Sequence, residues 1–125
     1  MKIMQKRRKK PAAHSALPLR PAAFAILASL ANGPLPGFEI LETVNSTVRG
    51  TPIWGPGTLY RLLRELRRSG WIQRTKPPSG ETDPDERRQY HALTAEGRAV
   101  MRAEAGRLRV TLANARLLPQ DPRST

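Results

Sequence analysis

The chain contains no cysteine, which excludes disulfides, thiol catalysis and thiolate metal sites. Aromatic residues are only 5% of the total, too few for a sheet that stacks single-stranded bases. Acids are scarce too, 10 against 22 lysines and arginines. Histidines number two. His14 lies in a terminal tail and His91 in a strand-like run, neither beside a paired carboxylate, so catalysis has no support and no enzyme is expected. No apolar run approaches the ~20 residues of a membrane span. Ala22 to Leu30 is apolar and follows a basic start at Lys6 to Lys10, the order of a signal sequence. Pro18, Arg20 and Pro21 separate the two, and the short run reads as a helix the domain needs. The acid-rich "ETDPDE" lacks the ligand spacing of a calcium loop. Neither a cofactor nor a metal is expected.

What the chain has in excess is positive charge. A net charge of +12 costs self-repulsion and points to a polyanionic partner. Nucleic acid is the first candidate and an anionic membrane surface the second. At 125 residues this is one small domain with tails, a size that often gains stability by dimerising. Residues 1–20, "MKIMQKRRKKPAAHSALPLR", are basic and proline-punctuated without periodicity. They read as a disordered arm, either a solvated tail or one that tracks phosphates.

Pro21 suits the first turn of a helix, and Ala23, Phe24, Ile26, Leu27 and Leu30 form its apolar face. Asn32-Gly33-Pro34 stops it. A second helix is expected from about Gly37 to Val48, with Ile40, Leu41, Val44 and Val48 on one face and Gly50 and Pro52 after it. Asn45-Ser46-Thr47 fits a glycosylation pattern, but inside a helix it is discounted. In "GPGTLYRLLRELRRSGWIQR" Gly55 can cap a third helix, Pro56 can open it and Gly70 can close it after about Ser69. Leu59, Leu62, Leu63 and Leu66 make its buried stripe. Gly57, Tyr60, Arg61, Arg64 and Arg68 fall on the opposite face.

Trp71 to Lys76 and Gln89 to Leu93 read as two strands around a proline-rich loop, a hairpin. Thr94 caps a last helix that reaches about Leu118, with Pro119 after it. Met101, Ala105, Leu108, Leu112 and Ala115 recur at steps of four and three, a heptad seam suited to a dimer contact or to packing on the domain itself.

Three helices, a hairpin and a long helix make an α+β, mainly α winged helix-turn-helix with a two-stranded wing and a C-terminal dimerisation helix. The arrangement accounts for the arginines. Leucines hold the third helix inward, and the opposite face can enter a major groove, where phosphates neutralise Arg61, Arg64 and Arg68. Glu65 can pair with Arg61 or Arg68. Gly57 and Thr58 allow backbone to approach DNA at the positive end of the helix dipole. Tyr60 can reach a phosphate or lie half buried beside the second helix.

"GPGTLYRLLRELRRSGWI" with "RRQYHALTAEGR" resembles the PadR family of bacterial transcriptional regulators. "AILASLANGPLPGFEIL" is similar to that family's opening helices. The likeness spans about residues 20 to 117 and fits the family's small branch, with one C-terminal dimerisation helix. It implies a dimeric DNA-binding regulator, usually a repressor, on an inverted-repeat operator in double-stranded DNA. A small-molecule effector that relieves it is a further expectation. Phe24, Leu27, Met101 and Leu108 are either an effector pocket between the first and last helices or plain core. The resemblance places Tyr60 at the DNA backbone and Arg61 and Arg64 on the DNA side. It matches Arg87 and Arg88 to the basic residues leading out of the wing and Tyr90 to the aromatic of the second strand. Arg74, on the first strand, is a further candidate DNA contact. Departures are Phe38 for a tyrosine, Pro36 for a serine-like cap, and a wing tip made acidic by Glu81, Asp83, Asp85 and Glu86. Either that tip points away from DNA or it folds onto Arg74, Arg87 and Arg88.

The expected divisions are a basic arm (1–20), a winged helix-turn-helix (21–93), a dimerisation helix (94–118) and a tail (119–125). The expected location is the cytoplasm, on the bacterial nucleoid. A winged-helix protein-interaction module and a non-specific nucleic-acid-binding protein are the alternative readings.

Overall fold

The computed structural model describes residues 13–46, 54–80 and 85–119. The Lys6–Lys10 cluster, the expected second-helix end at Val48, Gly50 and Pro52, the wing-tip residues Glu81 and Asp83, and the tail beyond Pro119 lie outside the described residues. Among the described residues, four α-helices and three short strands carry the fold: α1 (Pro21–Ser29), β1 (Leu35–Pro36), α2 (Gly37–Asn45), α3 (Pro56–Arg68), β2 (Ile72–Thr75), β3 (Tyr90–Leu93) and α4 (Ala95–Asn114).

The core is where the apolar spacing puts it. Ile26, Leu27 and Leu30 from the α1 region, Ile40 and Val44 from α2, and Leu59, Leu62, Leu63 and Leu66 from α3 are all buried. Ile72 of β2 and Val100 and Met101 of α4 complete the cluster. The apolar run after the basic start is therefore a structural helix of the domain. No helix among the described residues is long and apolar enough to cross a membrane.

The sheet has one strand more than the expected hairpin. β3 lies between β2 and β1, in the order β1-β3-β2, with both pairings antiparallel. β1 is two residues long and contains Pro36, which sits opposite Tyr90. Proline cannot donate to a ladder, so it is tolerated on an edge strand and masks the strand in the sequence. The same strand replaces the missing serine cap. Gly37 N, the first amide of α2, donates to the Gln89 carbonyl at 3.1 Å. A helix-end amide that usually needs a side-chain cap is satisfied by the backbone just ahead of β3 instead.

The third and fourth helices are joined through one tight junction. Gly70, at φ +80°, follows the Ser69 C-cap of α3. Gly70 N bonds the Arg67 carbonyl and Trp71 N bonds the Leu66 carbonyl, the paired bonds of a Schellman ending. Thr94 then caps α4 as expected, accepting from Gly97 N at 3.0 Å. Its hydroxyl donates onward to the Gly70 carbonyl at 2.6 Å, and its amide donates to the Trp71 carbonyl. A Cβ at Gly97 would collide with the Trp71 backbone. Glycine there lets α4 lie directly on the α3–β2 turn.

Residues 13–20, expected as the end of a disordered arm, are instead ordered against the domain. Ala13–Ala16 form a 3-10 turn that packs on α4. Leu19 N donates to Glu104 Oε2 at 3.2 Å. Glu104 is only 2% exposed, and its charge is held by Arg107 Nε at 2.7 Å and Nη2 at 2.9 Å. Those bonds, Arg107 first, keep its carboxyl below the usual range.

Candidate nucleic-acid interface

α3 separates its two chemistries cleanly. Its four leucines are buried, while Gly57, Arg61, Arg64 and Arg68 are exposed. Gly55 and Pro56 start the helix as expected. Thr58 and Tyr60 are half-buried, and the Tyr60 ring packs against the core. Arg67 falls on the same flank as Tyr60 and turns to the sheet, where its Nη1 lies 3.0 Å from His91 Nε2.

The approach to α3 is set by a contact the sequence reading missed. Asn45, the last residue of α2, donates through Nδ2 to the Trp54 carbonyl at 2.9 Å. It accepts from Trp54 N through Oδ1 at 3.0 Å. One amide side chain satisfies both backbone groups of Trp54, as a neighbouring strand would. It fixes where the chain returns before α3 begins.

Glu65 pairs with Arg61 at 3.2 Å, as the spacing allows, and at 2.9 Å with Arg20, a residue of the expected arm. Its carboxyl is held below the usual range, first by the Arg20 hydrogen bond. On the wing, Arg74, Arg87 and Arg88 are exposed. Asp85 folds back onto Arg87: its Oδ1 accepts from Arg87 N at 3.0 Å and its Oδ2 from Nη2 at 2.9 Å. The Asp85 carboxyl is lowered and the Arg87 guanidinium raised, each chiefly by that bond. One acid of the wing is thereby neutralised locally.

His91 is fully enclosed at the centre of the sheet. A guanidinium only donates, so Nε2 accepts and the ring proton sits on Nδ1. Burial first, then the charges of Arg67 and Arg74, push its pKa down to about 4. The nearby Gln89 carbonyl acts weakly the other way. This neutral histidine is a structural residue at the root of the wing.

The profile of the transcriptional regulator PadR-like family matches residues 26–103. The chain belongs to that family. The profile starts inside α1, takes in α2, α3 and the sheet, and ends in the first half of α4. Regulators of the PadR-like family are not enzymes in general. No curated protein matches the chain. Solved structures share the fold at low identity. A PadR family regulator from hypervirulent Clostridium difficile is 22% identical with a TM-score of 0.60, covering 79% of this chain and 100% of that one. A mutant of ZitR from Lactococcus lactis is 23% identical with a TM-score of 0.63, covering 91% and 73%. A MarR family regulator from Silicibacter pomeroyi is 24% identical with a TM-score of 0.60, covering 87% and 64%. These likenesses establish a winged-helix fold with a long C-terminal helix.

Within this PadR-like fold the heptad residues do not form a single exposed seam. Met101 is 9% exposed and belongs to the domain's own core, because α1 and the sheet cover the first half of α4. Beyond Glu104 the helix leaves the domain: Ala105 and Ala115 are exposed, Leu108 is half-buried and Leu112 is 37% exposed. Val110 and Leu117 are more exposed still. Of the four effector-pocket candidates, Leu27 and Met101 are buried in the core cluster. Phe24 and Leu108 are half-buried. An open cleft of about 510 Å³ lies elsewhere, between Ala13 and the start of α4 at Thr94, Glu96 and Val100.

Proposed function

We propose that this PadR-like chain is a dimeric, sequence-specific DNA-binding repressor that reads an inverted repeat in double-stranded DNA, acting in the cytoplasm on the nucleoid. One observation carries the reading: α3 buries every leucine it has and leaves Arg61, Arg64 and Arg68 exposed on the other side. Like charges so placed raise the local positive potential and favour an anionic partner. In this reading Gly57 and Thr58 admit backbone contact and Tyr60 reaches a phosphate. Arg61, Arg64 and Arg68 enter the major groove. Arg74, Arg87 and Arg88 follow the flanking strand from the wing. The ion pair with Asp85 supports a wing whose base, rather than its acidic tip, meets DNA.

Residues 21–93 act as the DNA-binding unit and 94–118 as the dimerisation segment, with Ala105, Leu108, Leu112 and Ala115 paired between two copies. Exposed leucine and valine on that half of α4 support this use. A small-molecule effector would act where α1 meets the paired α4 helices, with Phe24 and Leu108 the side chains positioned to respond.

Titration against a duplex bearing an inverted repeat selected from a random pool, and against a scrambled duplex, tests the reading. A dimer neutralising six or more phosphates should give a log–log salt slope of about −5 or steeper. The selected site should bind at least ~1,000-fold more tightly than the scrambled one. Equal, weak binding to both duplexes would favour a non-specific coat, and no binding would favour a protein-interaction module.

A further inference from the structure

Arg20 is the last residue before α1, a position that the sequence assigns to a tail. The structure holds it firmly. On one side Leu19 N is fixed by the buried carboxylate of Glu104, and on the other Pro21 opens α1. Arg20 itself is the N-cap of that helix, with φ −65° and ψ 144°. Its guanidinium is 66% exposed and lies against α3, with Nη2 2.9 Å from Glu65 Oε1.

Glu65 is the one acid in α3 and is 40% exposed. It stands one turn after Arg61 and three residues before Arg68, on the face that carries the exposed arginines. Its second oxygen holds Arg61 Nη1 at 3.2 Å. A carboxylate there would repel phosphate and also compete with phosphate for Arg61. Arg20 changes both effects. With a second cation on Glu65, Arg61 can turn to a phosphate while the carboxylate stays paired.

We propose that Arg20 is a positioning residue of the DNA interface, supplied from outside the helix-turn-helix to neutralise Glu65 and release Arg61. This rests on the DNA-binding reading above. The effect on the fold should be small, because an exposed ion pair contributes little to stability. The effect on DNA should be larger, because the uncompensated charge would face a polyanion.

The test is a double-mutant cycle of the full chain: wild type, Arg20→Ala, Glu65→Gln and both together. Each is titrated by fluorescence anisotropy against the selected inverted-repeat duplex at two salt concentrations. Arg20→Ala should weaken binding by about tenfold in the wild-type background and by less than about threefold beside Glu65→Gln. Arg20→Lys should stay within about twofold of wild type, since a charge and not a fork is required. Thermal midpoints should move by no more than about 2 °C, which separates the effect from unfolding. Without DNA, NMR titration should show the Glu65 carboxyl rising in Arg20→Ala. Equal losses in both backgrounds would make Arg20 an independent phosphate contact and overturn the proposal. An unchanged Glu65 titration would overturn it as well. A wild type that binds no duplex overturns the regulatory reading and this inference with it. A wild type that binds while the cycle is additive overturns this inference alone.

Discussion

His91 shows how one side chain links the sheet to α3. It is enclosed, neutral and held by Arg67, whose helix also carries the exposed Arg61, Arg64 and Arg68. Its pKa of about 4 in the fold lies below the ordinary 6.5. Between those values the unfolded chain binds a proton that the folded chain refuses. Stability from this group is therefore complete above about pH 6.5 and declines as pH falls toward 4, by about 3 kcal/mol in all. Urea unfolding at pH 4.5 and pH 7.5 checks this. The wild type should lose more stability on acidification than His91→Phe, because the carboxylate contributions are common to both. Matching losses would show that His91 does not titrate in this window. The sequence placed His91 on a strand and judged it structural. It could not supply the partner, because Arg67 lies 24 positions away and meets it only through the packing of α3 on β3.

At the scale of elements, the junction of α3, β2 and α4 does most to orient the wing. Thr94, Gly70 and Trp71 share a short chain of hydrogen bonds, and Gly97 lets the two backbones touch. Gly97→Ala should push α4 off the turn and cost about 3 kcal/mol, read as a lower urea midpoint with little change in slope. Gly106→Ala is the control, since a Cβ there meets open space and alanine suits a helix better. A Gly97→Ala protein as stable as wild type would mean that α4 has room to shift. The far end of α4 is closed in the same style as α3, with a residue in the left-handed region. Arg116 takes φ 58°, and Leu117 N reaches the Leu112 carbonyl. The helix therefore ends at Asn114, a turn short of the Leu118 expected from the stop at Pro119.

For the whole molecule, α4 divides into an inner half that completes the core and an outer half that is largely exposed among the described residues. Met101 belongs to the first and Leu112 to the second. A dimer built on the outer half predicts that Leu112→Glu leaves the monomer folded, with its thermal transition intact, and abolishes self-association at micromolar concentration. Operator affinity should fall with it, since two half-sites a helical turn apart need two linked subunits. Sedimentation equilibrium of wild type and variant decides the matter. A wild type that is monomeric at those concentrations would end the twofold model. The net charge acts at this scale as well. A value of +12 on so small a chain is a field rather than a set of pairs, and it speeds encounter with DNA before any contact forms.

Local chemistry was enough to specify the helices, the caps at Gly55 and Thr94, the leucine stripe of α3 and the surplus of cations opposite it. Each depends on residues within one or two turns of one another, where spacing alone selects a face. The third strand, the ordering of residues 13–20, the assignment of Met101 to the core and the partners Arg20–Glu65, Arg67–His91 and Asn45–Trp54 came only with the tertiary structure. Most of these join groups far apart along the chain, and Asn45–Trp54 spans a connection rather than a helix turn. A proline in β1 and a tail-like composition before α1 concealed two of them. What a charged side chain meets across such distances is decided by how the helices pack, and no periodicity records it.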